Sequence, residues 1–171
     1  MAERLIVQKT SPRQFTPSDL EQVMNINRRC LPENYSSSFF LDLHKRFPET
    51  FIVVENEGKI VGYILCRIER RLSDLKLMGL ARKGHIISIA VLPEYQGQGV
   101  GGILIKEAMN AMSLYKAEEC VLEVRTNNVP ALNLYKKMGL TITRTLHSYY
   151  ADGADAYKMA RKLPFFSPDF I

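Results

Sequence analysis

Hydrophobic residues dominate one stretch in the middle of the chain, His85 to Val91. Its residues are mostly β-branched or otherwise apolar without clear alternation, which is typical of a strand covered on both faces. Pro93 ends the strand, because proline has no N–H for a sheet ladder. Apolar residues then return at helical spacing from Ile103 to Met112. The pattern predicts a central strand, a glycine-rich turn and a helix, in that order.

A strand and two helices are predicted ahead of this unit. Leu5–Val7 is a short apolar strand. Residues 16–19 (TPSD) form a helix start, with a threonine cap, a proline in the first turn and an acid three residues after the cap. This helix is expected to end near Cys30. Residues 36–38, all serine, offer a cap for a second short helix, which Pro48 ends.

Two strands follow these helices. Thr50–Glu55 and Lys59–Arg67 are joined by Asn-Glu-Gly, a hairpin signal. The charged segment Glu69–Lys83 is predicted to be a connection. A connection this long is either a binding loop or a solvated excursion, and the sequence does not separate the two.

The last third of the chain predicts a strand, a helix and a strand pair. The strand is Cys120–Val124, and the helix begins at Asn128 and ends at Gly139, a left-handed cap residue. The strand pair is Leu140–Leu146 with Ala156–Leu163. The sequence contains no internal repeat and no linker.

The segment between the central strand and its helix, Gln96–Gly102, is rich in glycine. Glycine lets the backbone approach a ligand closely, and the unpaired N–H groups of a first helical turn attract anions. An ordinary turn without a ligand is disfavoured, because three glycines before a helix cost conformational entropy that packing alone does not offset. This glycine loop is therefore a candidate phosphate-binding site.

Two phosphate-binding patterns fit the glycine loop. Gly97, Gly99 and Gly102 match G-x-G-x-x-G, but that dinucleotide pattern expects its first glycine directly after the first strand of a βαβ unit. Here residues 92–96 intervene, and helices and a hairpin come first. The other pattern, Q-x-x-G-x-G from Gln96 to Gly101, resembles the pyrophosphate loop of the GNAT acetyltransferase superfamily, which binds acetyl-coenzyme A (acetyl-CoA). The second pattern fits better.

Length and composition narrow the class of protein. The 171 residues, 46% of them hydrophobic, predict one domain over 1–171, with a core at about 15–163 and a tail at 164–171. No apolar run approaches the ~18 residues of a membrane span, and no signal peptide is predicted. Three cysteines without C-x-x-C spacing suit a reducing cytoplasm. The net charge of +5 could serve a coenzyme phosphate, an acidic partner such as a ribosome, or solubility. Neither a nucleic acid nor a membrane is expected as a partner.

The order of the predicted elements is similar to the GNAT fold. That fold is α/β (α+β), with a mixed, mostly antiparallel sheet that splays between its fourth and fifth strands and is flanked by helices. Three motifs resemble the catalytic subunits of N-terminal acetyltransferases, of the NatA type and its archaeal relatives, and also the ribosomal-protein-alanine acetyltransferases. They are 31–35 (LPENY), 122–125 (LEVR) with Asn128, and 149–157 (YYADGADAY). Leu140 and the tail after Pro164 depart from the family pattern.

The resemblance implies that acetyl-CoA lies between the fourth and fifth strands. Main-chain groups of the central strand would pair with the pantetheine as an added strand does, and loop amides would bind the pyrophosphate. The implied coenzyme-binding residues are Ile89, Ala90, Val91, Gln96, Gly97, Gln98, Gly99, Val100, Gly101, Gly102, Asn128 and Tyr135.

The implied reaction is direct attack of an amine on the thioester. An α-amine has a pKa of about 8, so about a tenth of it is neutral at pH 7 and a modest base suffices. The candidates for this base are Glu33, His85 and Glu123. From the residues alone, Glu123 could equally be an edge carboxylate paired with Arg125 or a lysine, and His85 a core or rim histidine.

Strand register decides whether His85 and Glu123 act together, and the sequence does not set that register. If they meet, they form a water-mediated relay or an adventitious two-ligand metal site. No metal is assigned.

Four residues are assigned to the substrate peptide by the resemblance. Glu33 and Tyr35 would lie on one side of the peptide, and Tyr149 and Tyr150 would bind its main chain from the other. A carboxylate at position 33 would favour small first residues such as Ser or Ala. Without the resemblance, Glu33 could cap the helix that follows Ser36, and the tyrosines could be exposed loop aromatics.

Tyr135 is the candidate acid for the leaving thiolate. A phenol with a pKa of about 10 donates to a thiolate whose conjugate pKa is about 8.5 only with geometric help. A tyrosine packed into the core from a helix face is at least as common. Asn128 caps the same helix and is also expected to touch the coenzyme.

We expect an enzyme that acetylates protein N-termini, with a ribosome or an auxiliary subunit as candidate partners. Two other functions keep the coenzyme. One is an acetyltransferase that acts on lysine or small amines, and the other is a non-catalytic acyl-CoA-binding module that uses no base.

Overall fold

The computed structural model describes residues 10–164, so the strand predicted at Leu5–Val7 and the tail from residue 165 onward lie outside the described residues. The first strand in the described part, β1 (Thr10–Gln14), has no counterpart among the predicted elements. Its sequence is polar and contains Pro12, which a strand tolerates at the edge of a sheet. β1 is such an edge strand and pairs only with the next strand.

Two helices precede the central strands, as predicted. A 3₁₀ turn at Pro17–Asp19 leads into α1 (Leu20–Cys30), and the Thr16 N–H donates to the Asp19 carboxylate at 2.8 Å. α2 (Ser37–Arg46) begins after Ser36, whose hydroxyl oxygen accepts the Phe39 N–H at 3.3 Å. α2 ends just before Pro48, which cannot continue a helix.

Three antiparallel strands form the centre of the sheet: β2 (Phe51–Asn56), β3 (Lys59–Leu72) and β4 (Leu80–Val91). The first four residues of β2, 51–54, are apolar and buried because both faces of the strand are covered there. Phe51 and Val53 belong to one core cluster, whereas Ile52 and Val54 belong to the other.

The prediction of a connection over Glu69–Lys83 is wrong. β3 continues to Leu72 and β4 already starts at Leu80, so only residues 73–79 connect them. The inward positions at the start of β4 are Ala81 and Lys83, and Lys83 is buried in an ion pair with Asp74. A lysine at a buried strand position hides the apolar–polar alternation that would have marked the strand.

The rest of the described chain follows the predicted order. α3 (Val100–Leu114) is followed by β5 (Glu119–Arg125), α4 (Val129–Lys137), β6 (Thr141–Leu146) and β7 (Ala156–Lys162). Within residues 10–164, the seven strands form one sheet in the order β1-β2-β3-β4-β5-β7-β6, and only the β4–β5 pair is parallel.

Helices cover both faces of this sheet. α1 and α2 bury Val23 and Phe40 against one face, and α3 and α4 bury Leu104 and Leu132 against the other. Within residues 10–164, no helix combines the length and apolar character needed to cross a membrane.

β4 and β5 separate soon after they meet. They pair at only three positions, the last of which joins His85 to Val121. The β3–β4 register shifts between Leu65 and Cys66, so Ile87 is an extra residue and forms a bulge in β4. A bulge bends its strand, and the remainder of β4 diverges from β5. The predicted splay between the fourth and fifth strands is therefore present, and it opens a gap beside His85.

Candidate active site

A cavity of about 650 Å³ occupies the gap between the diverging strands. Its wall combines the α1–α2 loop, β4, β5, α4 and the β6–β7 connection. Most of the side chains that the sequence analysis assigned to catalysis or substrate meet here, although they lie far apart in the chain. The predicted residues that line it are Glu33, Tyr35, His85, Ile89, Glu123, Asn128, Tyr135, Tyr149 and Tyr150.

His85 and Glu123 are in direct contact within this cavity. The His85 Nε2 lies 2.6 Å from the Glu123 Oε2, and the two side chains are only 10% and 11% exposed. The other ring nitrogen, Nδ1, lies 3.0 Å from the Glu69 Oε1. The second Glu123 oxygen accepts a hydrogen bond from Lys158 Nζ at 2.7 Å. The strand register thus brings the predicted pair together inside a larger cluster of charges.

These contacts shift the pKa values of the cluster. Burial alone would raise the pKa of Glu123, but His85 and Lys158 outweigh it and lower the pKa to about 2. The hydrogen bond from His85 outweighs burial at Glu69 and lowers its pKa to about 2. Burial would lower the pKa of His85, yet the two carboxylates raise it above its ordinary value. Both carboxylates are therefore ionised at neutral pH, and the imidazole holds its proton more tightly than a free histidine.

Glu123 is paired with a lysine rather than with Arg125. Lys158 stands directly opposite Glu123 in the β5–β7 register, and its side chain is also buried. Of the two partners considered from the sequence, the lysine is correct and Arg125 is wrong.

Arg125 instead connects two loops that border the cavity. It donates to the Glu33 carboxylate at 2.6 Å and to the Asp152 carboxylate at 2.8 Å. Its guanidinium also lies 4.1 Å from the centroid of the Tyr150 ring. The end of β5 thereby links the α1–α2 loop to the β6–β7 connection. Glu33 is engaged in this ion pair and does not cap α2, where Ser36 serves.

A buried side chain in α1 fixes the backbone of the α1–α2 loop. The Asn27 Nδ2 donates to the Glu33 carbonyl at 3.2 Å and to the Tyr63 hydroxyl at 2.9 Å. The Tyr63 hydroxyl lies 2.6 Å from the Ser88 Oγ on β4. Asn27 is only 1% exposed, and these bonds satisfy its buried amide.

The glycine loop has a backbone that only glycine adopts easily. Gly97 and Gly99 have φ values of +74° and +87°, and a Cβ at either would meet no atom within 4 Å. These glycines are therefore required by conformation rather than by crowding. The first intrahelical bond of α3 runs from the Ile103 N–H to the Gly99 carbonyl, so the amides of residues 100–102 precede the hydrogen-bonded helix.

The other loop residues have identifiable structural partners. The Gln96 and Gln98 side chains donate to the backbone carbonyls of Val91 and Glu94 at 2.9 and 3.1 Å. A Cβ on Gly101 would lie 2.8 Å from a methyl carbon of Leu134, so that glycine lets α4 approach α3. The loop thus presents backbone amides, whereas its amide side chains hold its own shape.

Comparison with known proteins agrees with this geometry. The family model of the acetyltransferase (GNAT) family matches residues 20–140. The chain belongs to this family. The predicted family and fold class are therefore confirmed.

Relatives of this GNAT acetyltransferase carry more specific names. An N-alpha-acetyltransferase of Sulfurisphaera tokodaii is 49% identical over 148 residues, which are 85% of this chain and 89% of the relative. The N-terminal acetyltransferase A complex catalytic subunit NAA10 of Arabidopsis thaliana is 37% identical over 154 residues, 88% of this chain and 77% of the relative. The crystal structure of Ard1 from Thermoplasma volcanium matches with a TM-score of 0.79 and 32% identity, covering 92% of this chain and 99% of that one. The GNAT chain is an enzyme of the N-alpha-acetyltransferase class.

Tyr135 of this GNAT acetyltransferase lies between the core and the cavity. It belongs to the core cluster of α3 and α4, and it also lines the cavity wall. Burial raises the pKa of its hydroxyl to about 12. The phenol therefore keeps its proton across the neutral pH range. Asn128 lies nearby and caps α4, since its Oδ1 accepts the Ala131 N–H at 3.3 Å.

Sequence reasoning missed Glu69, Lys158 and Asn27. Glu69 was assigned to a connection, so it could not be aligned with His85 on a neighbouring strand. Its alternation with Arg67 and Arg71 was the available signal for a strand face.

Within residues 10–164, no group of three or more His, Cys, Asp or Glu side chains is arranged to hold a metal ion. His85 and Glu123 bind each other and their neighbours.

Proposed function

We propose that this GNAT N-alpha-acetyltransferase moves the acetyl group of acetyl-CoA to the α-amine of a protein N-terminus within the cavity between β4 and β5. The observation that carries the proposal is the buried contact of His85 with Glu123. It lies in one cavity with the tyrosines and the carboxylate assigned to the peptide. A non-catalytic module would have no need to bury such a cluster, because buried charges cost free energy.

The proposed coenzyme position follows the splayed strand and the glycine loop. The main chain of Ile89–Val91 is proposed to pair with the pantetheine, and the amides of Gly97–Gly102 to bind the pyrophosphate. Gln96 and Gln98 would support the loop, and Asn128 and Tyr135 would border the thioester. The positive φ values of Gly97 and Gly99 support this assignment, since they turn the loop into an α3 start whose first amides are free of intrahelical bonds.

The substrate peptide is proposed to enter between the two loops that Arg125 links. Glu33 and Tyr35 would contact its first residue, and Tyr149 and Tyr150 its main chain. The carboxylate of Glu33 is already held in an ion pair with Arg125 at 2.6 Å. A small first residue such as Ser or Ala fits this proposal.

In the proposed reaction, the neutral α-amine attacks the thioester carbonyl. An N–C bond forms, the C–S bond breaks, and the amine loses one proton. The His85–Glu123 pair is proposed to take that proton, directly or through a water. The leaving sulfur requires a proton or a hydrogen bond, and Tyr135 is the proposed donor because its hydroxyl stays protonated.

An intact-mass assay with paired peptides tests this proposal. Two peptides of identical sequence, each with an internal lysine, would differ only in a free or chemically blocked α-amine. We expect one added acetyl group on the free peptide and none on the blocked one. Acetylation of both at equal rates would identify lysine as the acceptor instead, and acetylation of neither would favour the binding-module function.

The cellular setting is also proposed. The three cysteines Cys30, Cys66 and Cys120 are free thiols, which suits a reducing cytoplasm. A ribosome or an auxiliary subunit is a proposed partner, because the acceptor is the N-terminus of another chain.

A further inference from the structure

The imidazole of His85 lies between carboxylates from two neighbouring strands. Glu69 on β3 approaches Nδ1 at 3.0 Å, and Glu123 on β5 approaches Nε2 at 2.6 Å. Glu123 lines the cavity, whereas Glu69 lies behind the histidine, outside the lining. The two ring nitrogens therefore face different surroundings.

Ionised carboxylates only accept hydrogen bonds. Both contacts of His85 are satisfied when the ring carries two protons, and only one is satisfied when the ring is neutral. We infer that Glu69 is a positioning residue, which accepts the Nδ1 proton of His85, holds the ring against Glu123 and stabilises the doubly protonated imidazole. This inference rests on the proposed function for its role in turnover, but its structural content concerns His85 and Glu69 alone.

Cationic side chains border both carboxylates of the cluster. Glu69 is paired with Arg67 at 3.0 Å and Arg71 at 3.6 Å on its own strand. Glu123 is paired with Lys158 of β7. Glu69 has two arginines beside it and a lowered pKa, so it stays ionised while His85 titrates. A fixed carboxylate in contact with a histidine orients the ring and stabilises the imidazolium.

The arrangement predicts how Glu69 affects catalysis. An opposite charge within hydrogen-bond distance raises the pKa of a histidine. Glu69→Gln can still accept the Nδ1 proton through its amide oxygen but removes the charge, so the pKa of His85 falls. Glu69→Ala removes both the charge and the hydrogen bond, so the ring also loses its orientation.

¹⁵N NMR of the full chain with labelled histidine tests the inference without relying on turnover. The chain has three histidines, and the His85 signals are assigned by their loss in His85→Gln. In the wild type, we expect the titration midpoint of His85 to lie above the 6.5 of a free imidazole. In Glu69→Gln, we expect the titration midpoint of His85 to fall by about one pH unit. Asp42→Asn is the matched control, since it removes an exposed carboxylate in α2 that pairs with Arg46 and does not line the cavity.

The pH dependence of kcat/KM supplies the second readout. The rise of kcat/KM with increasing pH should move to lower pH in Glu69→Gln, by the same amount as the NMR midpoint of His85. Glu69→Ala should also lower kcat. A wild-type His85 midpoint at or below about 6.5 would overturn the inference, even if no Glu69 variant folds. So would an unchanged His85 midpoint in Glu69→Gln. If the wild type acetylated no peptide, the proposed function would fail while the NMR result still decided the role of Glu69.

Discussion

At the scale of single residues, buried charge and its compensation determine the chemistry of the site. Burial works against the charged forms of both His85 and Glu123. Contact between them, together with the hydrogen bonds from Lys158 to Glu123 and between Glu69 and His85, reverses that effect: it lowers the pKa of Glu123 and raises the pKa of His85. Removing one member would leave another charge buried and unpaired, which is usually more costly than the intact set.

The titration of His85 predicts a particular pH dependence of stability. Its pKa is raised from 6.5 in the folded state, so its contribution to the free energy of unfolding is complete below about pH 6.5. That contribution is lost as the pH rises through the raised pKa. We therefore expect His85→Gln to lower the Tm more at about pH 6 than at about pH 9. Thermal unfolding of both proteins at the two pH values measures this, and an equal loss at both would contradict it.

Glu69 and Glu123 act in the opposite direction. Their pKa values are lowered from 4.5 to about 2, so their contributions are present above about pH 4.5 and are lost as the pH falls towards 2. The same unfolding series, extended into acid, should show the wild type losing stability there.

At the scale of elements, Arg125 joins three parts of the fold at the edge of the cavity. It extends from the end of β5 to Glu33 in the α1–α2 loop and to Asp152 in the β6–β7 connection. Neither ion pair could be derived from the sequence, because each depends on where two loops lie in space.

Replacing Arg125 should separate the effects on peptide and coenzyme. We expect Arg125→Gln to raise the peptide KM about tenfold, since the loss of charge-assisted hydrogen bonds frees both loops. The KM for acetyl-CoA should stay within about twofold. Steady-state kinetics with each substrate varied in turn measures the two constants. Arg46→Gln, a surface arginine in α2, is the matched control, and a parallel rise in both KM values in Arg125→Gln would argue against the assignment.

The glycine loop offers a second test at this scale. Gly99→Ala places a side chain on a residue with φ of +87°, which costs about 1 kcal/mol in a conformation that L residues avoid. We expect the loop to shift and acetyl-CoA to bind more weakly, as measured by calorimetry.

The hairpin turn between β2 and β3 provides the matched control. Gly58 has a φ of +80° and equally open surroundings, but it lies outside the loop and the cavity. Gly58→Ala should lower the Tm by a similar amount and leave the acetyl-CoA affinity unchanged. Equal affinities in the two variants would remove the loop from the coenzyme site.

At the scale of the whole molecule, the resemblance to the GNAT family predicted the splay of the sheet, and the residue pattern predicted the helices and the central strands. Those elements have strong local signals, such as the TPSD helix start and the apolar stretch at His85–Val91. β1 was missed because its residues are polar, and Glu69–Lys83 was misassigned because a buried lysine interrupts the pattern. That the chain forms one domain over 1–171 stays a prediction, as do the roles of the individual site residues.

The site itself could be predicted only in part. His85 and Glu123 were recognised as candidates, yet their contact depends on the β4–β5 register, which three paired positions define. Glu69 and Lys158 became visible only when β3 and β7 were placed beside them. Contacts between side chains on different strands cannot be predicted from one sequence, because they depend on how the strands are placed beside each other.

The most direct test of the central claim compares turnover by the wild type and Glu123→Gln with a peptide that has a free α-amine. The account predicts that the variant binds acetyl-CoA with unchanged affinity but transfers its acetyl group at least about 100-fold more slowly. Asp42→Asn should behave as the wild type. Transfer by Glu123→Gln at the wild-type rate, with the same peptide and coenzyme affinity, would contradict the account.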